Sequence, residues 1–338
     1  MVADELAIEA HDLTKVFPKG NVRALDGLSF ETPPGTVLGV LGPNGAGKTT
    51  AVRILSTVLA PDGGHATILG FDVVRQAAAV RRIIGLAGQN AAVDENLSGR
   101  QNLRMIGRLS HMSRANSRTR AEELLEQFGL TDAATRSLKT YSGGMRRRLD
   151  LAAALVAQPP VLFFDEPTTG LDPQTRQDMW TWTERLVAEG TTVLLTTQYL
   201  EEADRLADQV IVVDHGHLIA EGTPETLKAD LGTTVLLVTL EDHEAAQRAA
   251  ALLAPIGSRA PIVENARVEM NVENGPKAGS EAMRALDAQG IDVLGLVLRE
   301  PSLDDVFLQL TGHRAEADSA EANGGAAPSA VSSSRRAG

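Results

Sequence analysis

The sequence predicts an α/β fold, in which a parallel sheet is covered by helices and is followed by a small α+β unit. Stretches of strand and helix character alternate through the first two-thirds of the 338 residues, as is typical of parallel sheets. Residues 161–164 and 192–196 are apolar without alternation, as expected of strands that are buried on both faces. Past Gly232 the spacing of the elements changes, which indicates a second unit.

The first strands are delimited by turn residues. Residues 6–17 and 23–31 are predicted to be strands, because a Pro-Lys-Gly turn at 18–20 separates them. A Pro-Pro-Gly turn at 33–35 then leads into a compact apolar strand at 36–41.

The middle of the chain is predicted to be helical and to close with a hairpin. Residues 98–128 have few strand signals and carry polar residues on one side, which favours helices. Two apolar runs, 210–213 and 218–220, flank an Asp-His-Gly turn at 214–216, so we expect an antiparallel hairpin there.

The second unit has a β-α-β-α-β order, which suggests a ferredoxin-like arrangement. Its predicted strands are 233–240, 266–272 and 291–298, and its predicted helices are 243–253 and 280–289. The last residues are rich in Ala, Ser, Gly and Glu and lack large apolar side chains, so we expect disorder there. The predicted divisions are a first domain at 1–231, a second at 232–311 and a tail at 312–338.

The composition excludes several classes of function. Acidic residues outnumber basic ones 44 to 32, for a net charge of −12. Nucleic-acid binding depends on clustered Lys and Arg, so we expect no nucleic-acid partner. There is no cysteine, which excludes disulfides and Cys-ligated metal sites. The acidic start and the lack of 18 consecutive apolar residues predict neither a secretion signal nor a membrane span.

The strongest motif is a phosphate-binding loop. GPNGAGKT fits G-x-x-x-x-G-K-[ST] and lies between a predicted strand at 37–41 and a predicted helix at 50–59. The backbone N–H groups of such a loop and the helix N-terminus face phosphate oxygens. Lys48 supplies a positive charge for the β and γ phosphates, and the Thr49 hydroxyl is a magnesium ligand. The nucleotide-binding candidates are Gly42, Pro43, Asn44, Gly45, Ala46, Gly47, Lys48, Thr49 and Thr50.

Two carboxylates, Asp165 and Glu166, end the apolar strand at 161–164. A buried strand delivers Asp165 to the carboxyl edge of the sheet, where it can hold the magnesium ion that Thr49 also binds. Glu166, one residue further, is the candidate general base that activates the attacking water. Without the phosphate loop, a simple strand cap would be the better interpretation of this pair.

Ser142, Gly143 and Gly144 precede a predicted helix at 146–156. A hydroxyl and N–H groups at a helix start suit an anion, although an ordinary N-cap has the same residues. Their position shortly before the carboxylate strand favours the anion. The arginines at 146–148 are predicted to lie on the solvated face of this helix and receive no specific role.

Together, GPNGAGKTT, YSGGM and LFFDEPTTGLD, with Gln89 among them, resemble the ATP-binding subunit of an ABC transporter over residues 6–231. The resemblance implies a P-loop NTPase core of the ABC ATPase type, with antiparallel β and helical subdomains, that uses ATP and Mg²⁺. It also implies a homodimer in which Ser142 and Gly144 reach the γ-phosphate of the ATP bound to the other subunit. The loop at Asp172 would cross between subunits, and Gln89 would bridge the magnesium site and the membrane partner.

Two further residues are assigned by their positions in that family. Phe17 lies where an aromatic residue stacks on adenine, although a core position explains it equally well. Gln198 replaces the usual switch histidine. Its amide can donate a hydrogen bond to a γ-phosphate but carries no charge near pH 7. We therefore expect slow hydrolysis that depends mainly on Glu166, with Gln198 as a sensor; a plain surface amide is the alternative.

Three segments, 140–150, 196–204 and 300–308, resemble the daunorubicin-resistance type of drug-export ATPase. That resemblance implies an ATPase encoded apart from a multi-spanning membrane permease and bound peripherally at the cytoplasmic face of the membrane. Its cargo would be hydrophobic antibiotics or lipids. The C-terminal unit of such proteins is associated with assembly and with coupling to the permease.

Two other functions compete with export. Soluble ABC proteins that act on ribosomes or in DNA repair resemble two fused halves or carry a long coiled coil, whereas this chain has one half and no sustained heptads. An ATP-dependent regulator that dimerises but scarcely hydrolyses is the other alternative, and Gln198 keeps it open.

Overall fold

The computed structural model describes residues 6–18, 20, 22–88, 93–229 and 234–312. In chain order the strands are β1 (Ile8–Phe17), β2 (Val22–Thr32), β3 (Val37–Leu41), β4 (Gly63–Ile68), β5 (Phe71–Asp72), β6 (Ile84–Ala87), β7 (Val161–Asp165), β8 (Thr192–Thr196), β9 (Gln209–Asp214), β10 (His217–Gly222), β11 (Thr234–Thr239), β12 (Ile262–Glu264), β13 (Arg267–Val272) and β14 (Gly295–Arg299). The helices are α1 (Lys48–Leu55), α2 (Ala77–Ile83), α3 (Gly99–Leu109), α4 (Arg114–Gln127), α5 (Gly143–Ala154), α6 (Pro173–Ala188), α7 (Leu200–Leu206), α8 (Pro224–Ala229), α9 (His243–Leu253), α10 (Gly275–Asp287) and α11 (Leu303–Thr311).

A six-stranded sheet in the order β10-β9-β3-β8-β7-β6 positions the nucleotide motifs. Its first five strands in chain order pair in parallel, and β10 returns antiparallel to β9 as the predicted hairpin. Every residue of β3, β7 and β8 is buried, which explains why these sequences are apolar without alternation. Because the strands are parallel, the phosphate loop after β3 and the carboxylates after β7 emerge at the same edge.

Two smaller parts flank this sheet. They contain the predicted strands β1 and β2 and the predicted helical stretch, while β4 and β5 were not predicted. An antiparallel sheet in the order β2-β1-β4-β5 buries Leu13 and Leu28 in the same apolar cluster as Ile54 of α1. On the other side, α3 and α4 lie within the stretch 98–128 that was predicted to be helical. Leu103 and Phe128 are buried in one apolar cluster with Leu149 of α5. Burial of these side chains anchors the helices, since short helices owe most of their stability to packing.

Both helices at the nucleotide motifs begin earlier than predicted. Helix α1 runs over Lys48–Leu55 instead of 50–59, because the chain turns away after Ser56 and Thr57 adopts a left-handed conformation at φ 64°. Helix α5 begins at Gly143 instead of Arg146, because the Ser142 side chain accepts a hydrogen bond from the Met145 N–H and so caps the helix.

The second unit has the β-α-β-β-α-β order of a ferredoxin-like fold. Its antiparallel sheet runs in the order β12-β13-β11-β14, so β11 and β13 are the central strands. The strand that the sequence did not predict, β12, has three residues of intermediate exposure and therefore leaves no clear pattern. Helix α10 starts at Gly275 rather than Ser280, because Asn274 caps it and a proline occupies its first turn.

The last helix connects the two parts. Leu303, Val306 and Phe307 of α11 are buried in one cluster with Leu41 and Leu200 of the nucleotide-binding part. The division predicted at 231 falls within residues 230–233, outside the described ranges, as does the predicted tail apart from Gly312. Among the described helices, none is long and apolar enough to cross a membrane.

Candidate nucleotide-binding site

The phosphate loop joins β3 to α1 as the motif requires. At two positions of the loop, Gly42 and Gly47, the neighbouring main chain leaves no room for a side chain. A Cβ on Gly47, at φ 115°, would lie 2.4 Å from the Ala24 carbonyl oxygen, and one on Gly42 would lie 2.2 Å from the Val213 carbonyl oxygen. Only glycine fits such close approaches, so the loop can curl with its N–H groups toward a phosphate at the start of α1.

Lys48 lies inside this loop. Its side chain is only 4% exposed, and Nζ donates hydrogen bonds to the carbonyl oxygens of Gly42 at 2.6 Å and Pro43 at 3.1 Å. These contacts hold the ammonium group in the concave face of the loop. A phosphate bound there meets a positive charge that is little screened by water.

Asp165 and Thr49 meet as predicted from the sheet topology. Thr49 Oγ1 donates to Asp165 Oδ1 at 3.2 Å, and Thr196 Oγ1 donates to the same oxygen at 2.7 Å. A hydroxyl and a carboxylate side by side fit Mg²⁺, which binds few protein carboxylates and completes its shell with water and phosphate oxygens. The described ranges contain no cluster of three or more His, Cys, Asp or Glu that could hold a metal ion.

Glu166 is held in an uncommon backbone conformation. Its φ is 52°, in the left-handed region, and its N–H donates to the Thr196 carbonyl oxygen at 3.0 Å. Gln198 Nε2 donates to Glu166 Oε1 at 2.8 Å and to Asn44 Oδ1 at 2.8 Å. Gln198 therefore joins the Glu166 carboxylate to the phosphate loop. We call Lys48, Thr49, Asp165, Glu166 and Gln198 the phosphate-loop cluster.

The Ser-Gly-Gly segment lies at a separate helix start. Ser142 and Gly143 are exposed, and the Ser142 hydroxyl accepts a hydrogen bond from its own helix. Asp172 is also exposed and caps α6 by accepting from Thr175 N at 2.9 Å and Thr175 Oγ1 at 2.7 Å. These hydrogen bonds lower the pKa of the Asp172 carboxyl, and the bond from the Thr175 backbone N–H has the largest effect. We call Ser142, Gly143, Gly144 and Asp172 the Ser-Gly-Gly edge, since a Cβ on Gly144 would lie 3.9 Å from Asp172 Oδ2.

Two assignments remain predictions. Gln89 lies outside the described residues, although the preceding Gly88 adjoins the site, because a Cβ there would come within 3.2 Å of the Asp165 Cβ. Phe17 ends β1 half-buried and opposite Val22, which suits both of its interpretations.

The prediction that Arg147 lies on the solvated face of its helix is wrong. It is half-buried, and its guanidinium donates to three main-chain carbonyls around the site, those of Gly88, Glu166 and Pro167. Burial lowers the pKa of Arg147, while nearby carboxylates such as Asp150 act in the opposite direction. Three consecutive arginines have no periodicity, so only the true start of α5 at Gly143 would have shown which of them points inward.

Glu202 is a second residue that the sequence did not single out. Its buried carboxylate accepts from Trp180 Nε1 at 3.1 Å and from Thr168 Oγ1 at 3.2 Å. Burial raises the pKa of Glu202, and hydrogen bonds from Thr197, Trp180 and Thr168 oppose that rise. Glu202 thus links α7 to the loop between Glu166 and Asp172.

Family models match two parts of the chain. The model described as ABC transporter matches residues 25–169, and the one described as ATP-binding protein DrrA1-3-like, C-terminal domain, matches residues 222–311. The chain is 52% identical to the daunorubicin resistance ATP-binding protein DrrA2 of Streptomyces coeruleorubidus over 93% of this chain and 97% of that protein. It is 50% identical to the daunorubicin/doxorubicin resistance ATP-binding protein DrrA of Streptomyces peucetius, over 93% and 95%. It is also 39% identical to the Nod factor export ATP-binding protein I of Paraburkholderia xenovorans, over 91% and 98%.

Solved structures agree with this assignment. The structure of an ATP-binding subunit of an ABC transporter superposes with a TM-score of 0.61 at 25% identity, over 66% of this chain and 92% of that one. The ADP conformation of another ABC transporter's ATP-binding cassette superposes with a TM-score of 0.57 at 26% sequence identity. The match covers 65% of this chain and 92% of that one. The chain therefore belongs to the ATP-binding subunits of ABC transporters, in the daunorubicin-resistance group, and it is an ABC-type ATPase.

Proposed function

We propose that this ATPase powers the export of hydrophobic drugs, antibiotics or lipids through a separately encoded, multi-spanning membrane permease. The observation that carries the proposal is the set of contacts around the phosphate loop: Lys48 bonds the carbonyls of the loop, Thr49 bonds Asp165, and Gln198 joins Glu166 to Asn44. The type of cargo is inferred from relatives whose names record daunorubicin and doxorubicin resistance and Nod factor export.

Each member of the cluster has a distinct role in the proposal. Lys48 neutralises the β and γ phosphates of ATP. Thr49 and Asp165, with Gln89, hold Mg²⁺, which when bound would neutralise charge on the phosphates. Glu166 takes the proton of the attacking water, and Gln198 holds Glu166 in place while sensing the γ-phosphate.

The second half of the site comes from another copy of the chain. We propose a homodimer in which Ser142, Gly143 and Gly144 of one subunit cap the γ-phosphate held by the other, with Asp172 at the seam. The exposure of Ser142, Gly143 and Asp172 supports this role, because a group that binds a ligand of another subunit must be accessible. The proposed dimer lies peripherally at the cytoplasmic face of the membrane. The units at 1–231 and 232–311 then serve nucleotide binding and assembly with the permease, respectively.

Inverted membrane vesicles containing the protein and its permease test the proposal. We expect ATP-dependent uptake of doxorubicin into such vesicles, and loss of both uptake and ATP hydrolysis in Lys48→Ala. Arg185→Ala, which removes an exposed basic residue near the end of α6 in the nucleotide-binding part, is the control and should leave both activities intact. ATP binding with scarcely any hydrolysis, and no uptake of any hydrophobic drug or lipid, would instead favour the ATP-dependent regulator.

A further inference from the structure

The Arg147 side chain makes an unusual set of contacts for an arginine on a helix. Nε donates to the Pro167 carbonyl at 2.6 Å, one terminal nitrogen donates to the Gly88 carbonyl at 2.6 Å, and the other donates to the Glu166 carbonyl at 2.7 Å. All three acceptors belong to the main chain. A planar guanidinium with donors in a fixed fork can specify the position of several oxygens at once.

These carbonyls belong to the segments that carry the reaction. The backbone of Glu166 has φ 52°, in the left-handed region. Residues other than glycine hold this conformation when the surrounding structure imposes it. On one side the Glu166 N–H is bound to β8, through the Thr196 carbonyl. On the other side the carbonyls of Glu166 and Pro167 are bound to Arg147. Arg147 therefore supplies half of the clamp that holds this conformation.

The neighbouring arginines show that these contacts are specific to position 147. Arg146 pairs with the exposed carboxylate of Glu95 at 2.6 Å. Arg148 donates to the Phe128 carbonyl at 3.2 Å, within the helical part. Neither of these described contacts reaches the β7 or β6 ends of the central sheet.

We propose that Arg147 is a positioning residue for ATP hydrolysis, which fixes the Glu166 backbone and ties it to helix α5 and to Gly88. Helix α5 begins at the Ser-Gly-Gly edge, so Arg147 also makes that edge and the general base parts of one rigid unit. The inference rests on the proposed function, because it assumes that Glu166 acts on water at the γ-phosphate. A displacement of about 1 Å at such a group costs about 100-fold in rate.

The test compares Arg147→Ala with Arg148→Ala in steady-state ATP hydrolysis. We expect kcat of Arg147→Ala to fall by about 30- to 100-fold, with KM for ATP within about two-fold of wild type, because the phosphate loop is untouched. Arg148→Ala should keep kcat within about three-fold. Guanidinium ion at millimolar concentration should restore part of the kcat of Arg147→Ala and none of any loss in Arg148→Ala, a result that a purely structural role would not give.

The kinetics of Arg147→Ala and Glu166→Gln together test the role of Arg147. A kcat of Arg147→Ala within two-fold of wild type, or a loss confined to KM, would overturn the inference. Should Arg147→Ala not fold, Arg147→Lys replaces it, since a lysine keeps the charge but lacks the fork, and its kcat should again fall with KM unchanged. Glu166→Gln is measured alongside. If Glu166→Gln turns over like wild type, the proposed function fails; if it is inactive while Arg147→Ala is normal, only the role of Arg147 fails.

Discussion

The phosphate-loop cluster and the Ser-Gly-Gly edge differ in how complete they are within one subunit. In the cluster, the polar side chains are hydrogen-bonded within the subunit. Lys48 donates to carbonyls of its own loop, Thr49 donates to Asp165 at the end of β7, and Gln198 donates to both Asn44 and Glu166. At the Ser-Gly-Gly edge, Ser142 and Asp172 are exposed and serve only as caps of their own helices.

A single subunit can build one half of the site alone. A buried lysine or carboxylate must be paired to offset the cost of leaving water, so the cluster has to be assembled before ATP arrives. Exposed helix caps remain hydrated and need no buried partner, so they can bind a ligand that arrives later. An edge of this kind is what we expect if its phosphate is presented by a second copy of the chain.

The largest effect is expected from Glu166→Gln. Loss of the proposed general base should lower kcat by about 100- to 10,000-fold, while the Gln amide oxygen can still accept from Gln198 and ATP binding persists. Phosphate release and ATP affinity measure the two effects separately. Glu184→Gln, which removes an exposed carboxylate paired with Arg205, is the control. Turnover equal to wild type would show that the cluster is not catalytic.

Ser142→Asp tests the other half. Aspartate caps a helix as well as serine does, so the melting temperature and ATP binding by the single subunit should be unchanged. Its carboxylate would face the partner's γ-phosphate, and like charges so close cost several kcal/mol. We therefore expect turnover to fall by about 100-fold or more. Ser113→Asp makes the same change at the cap of α4 and should have no effect. A normal rate in Ser142→Asp would remove Ser142 from the site.

A smaller effect is expected from Gln198→His. An imidazole can carry a proton near pH 7 and so make a charge-assisted hydrogen bond to the γ-phosphate, which the amide cannot. A gain of about 1 kcal/mol corresponds to a rise in kcat of about five-fold, larger below pH 6.5. The measurement is steady-state hydrolysis in the presence of the permease, across pH. An unchanged rate would contradict the role of Gln198 as a sensor.

The smallest effect concerns the stability of α5, the helix that carries the Ser-Gly-Gly edge. Burial raises the pKa of Asp150 to about 6, despite the opposing charges of Arg147 and Arg146. A carboxyl whose pKa is raised on folding favours the folded state while it is protonated, and this contribution is lost as pH rises through 6. Asp150→Asn should therefore stabilise the protein by about 1 kcal/mol at pH 8, since the lost attraction to Arg147 and Arg146 offsets part of the gain, and by little at pH 4. Thermal unfolding at the two pH values measures it, and an equal effect at both would contradict the assignment.

Residues whose role depends on spacing along the chain could be predicted from the sequence. The phosphate loop, the Asp165–Glu166 pair and the ferredoxin-like order follow from motif and alternation, and the structure brings Thr49 and Asp165 together as the parallel sheet requires. Arg147 and Glu202 could not be found this way. Their partners are main-chain carbonyls and side chains distant in sequence, which no local pattern encodes. The start of α5 was missed because its cap could equally be a ligand-binding group.

In the proposed dimer, two copies of the chain clamp ATP between the phosphate-loop cluster of one and the Ser-Gly-Gly edge of the other. Because the chain contains no cysteine, introduced thiols are unique. Two differently tagged Glu166→Gln chains, one with Ser142→Cys and the other with Asn44→Cys, are mixed with ATP and Mg²⁺ and treated with a short bismaleimide. A mixture of Lys277→Cys with Asn44→Cys is the control.

We predict a cross-link between the two tags that requires ATP and is absent from the control mixture. Light scattering should show a dimer under the same conditions. A chain that binds ATP yet stays monomeric, with no product joining Ser142→Cys to Asn44→Cys, would contradict the account.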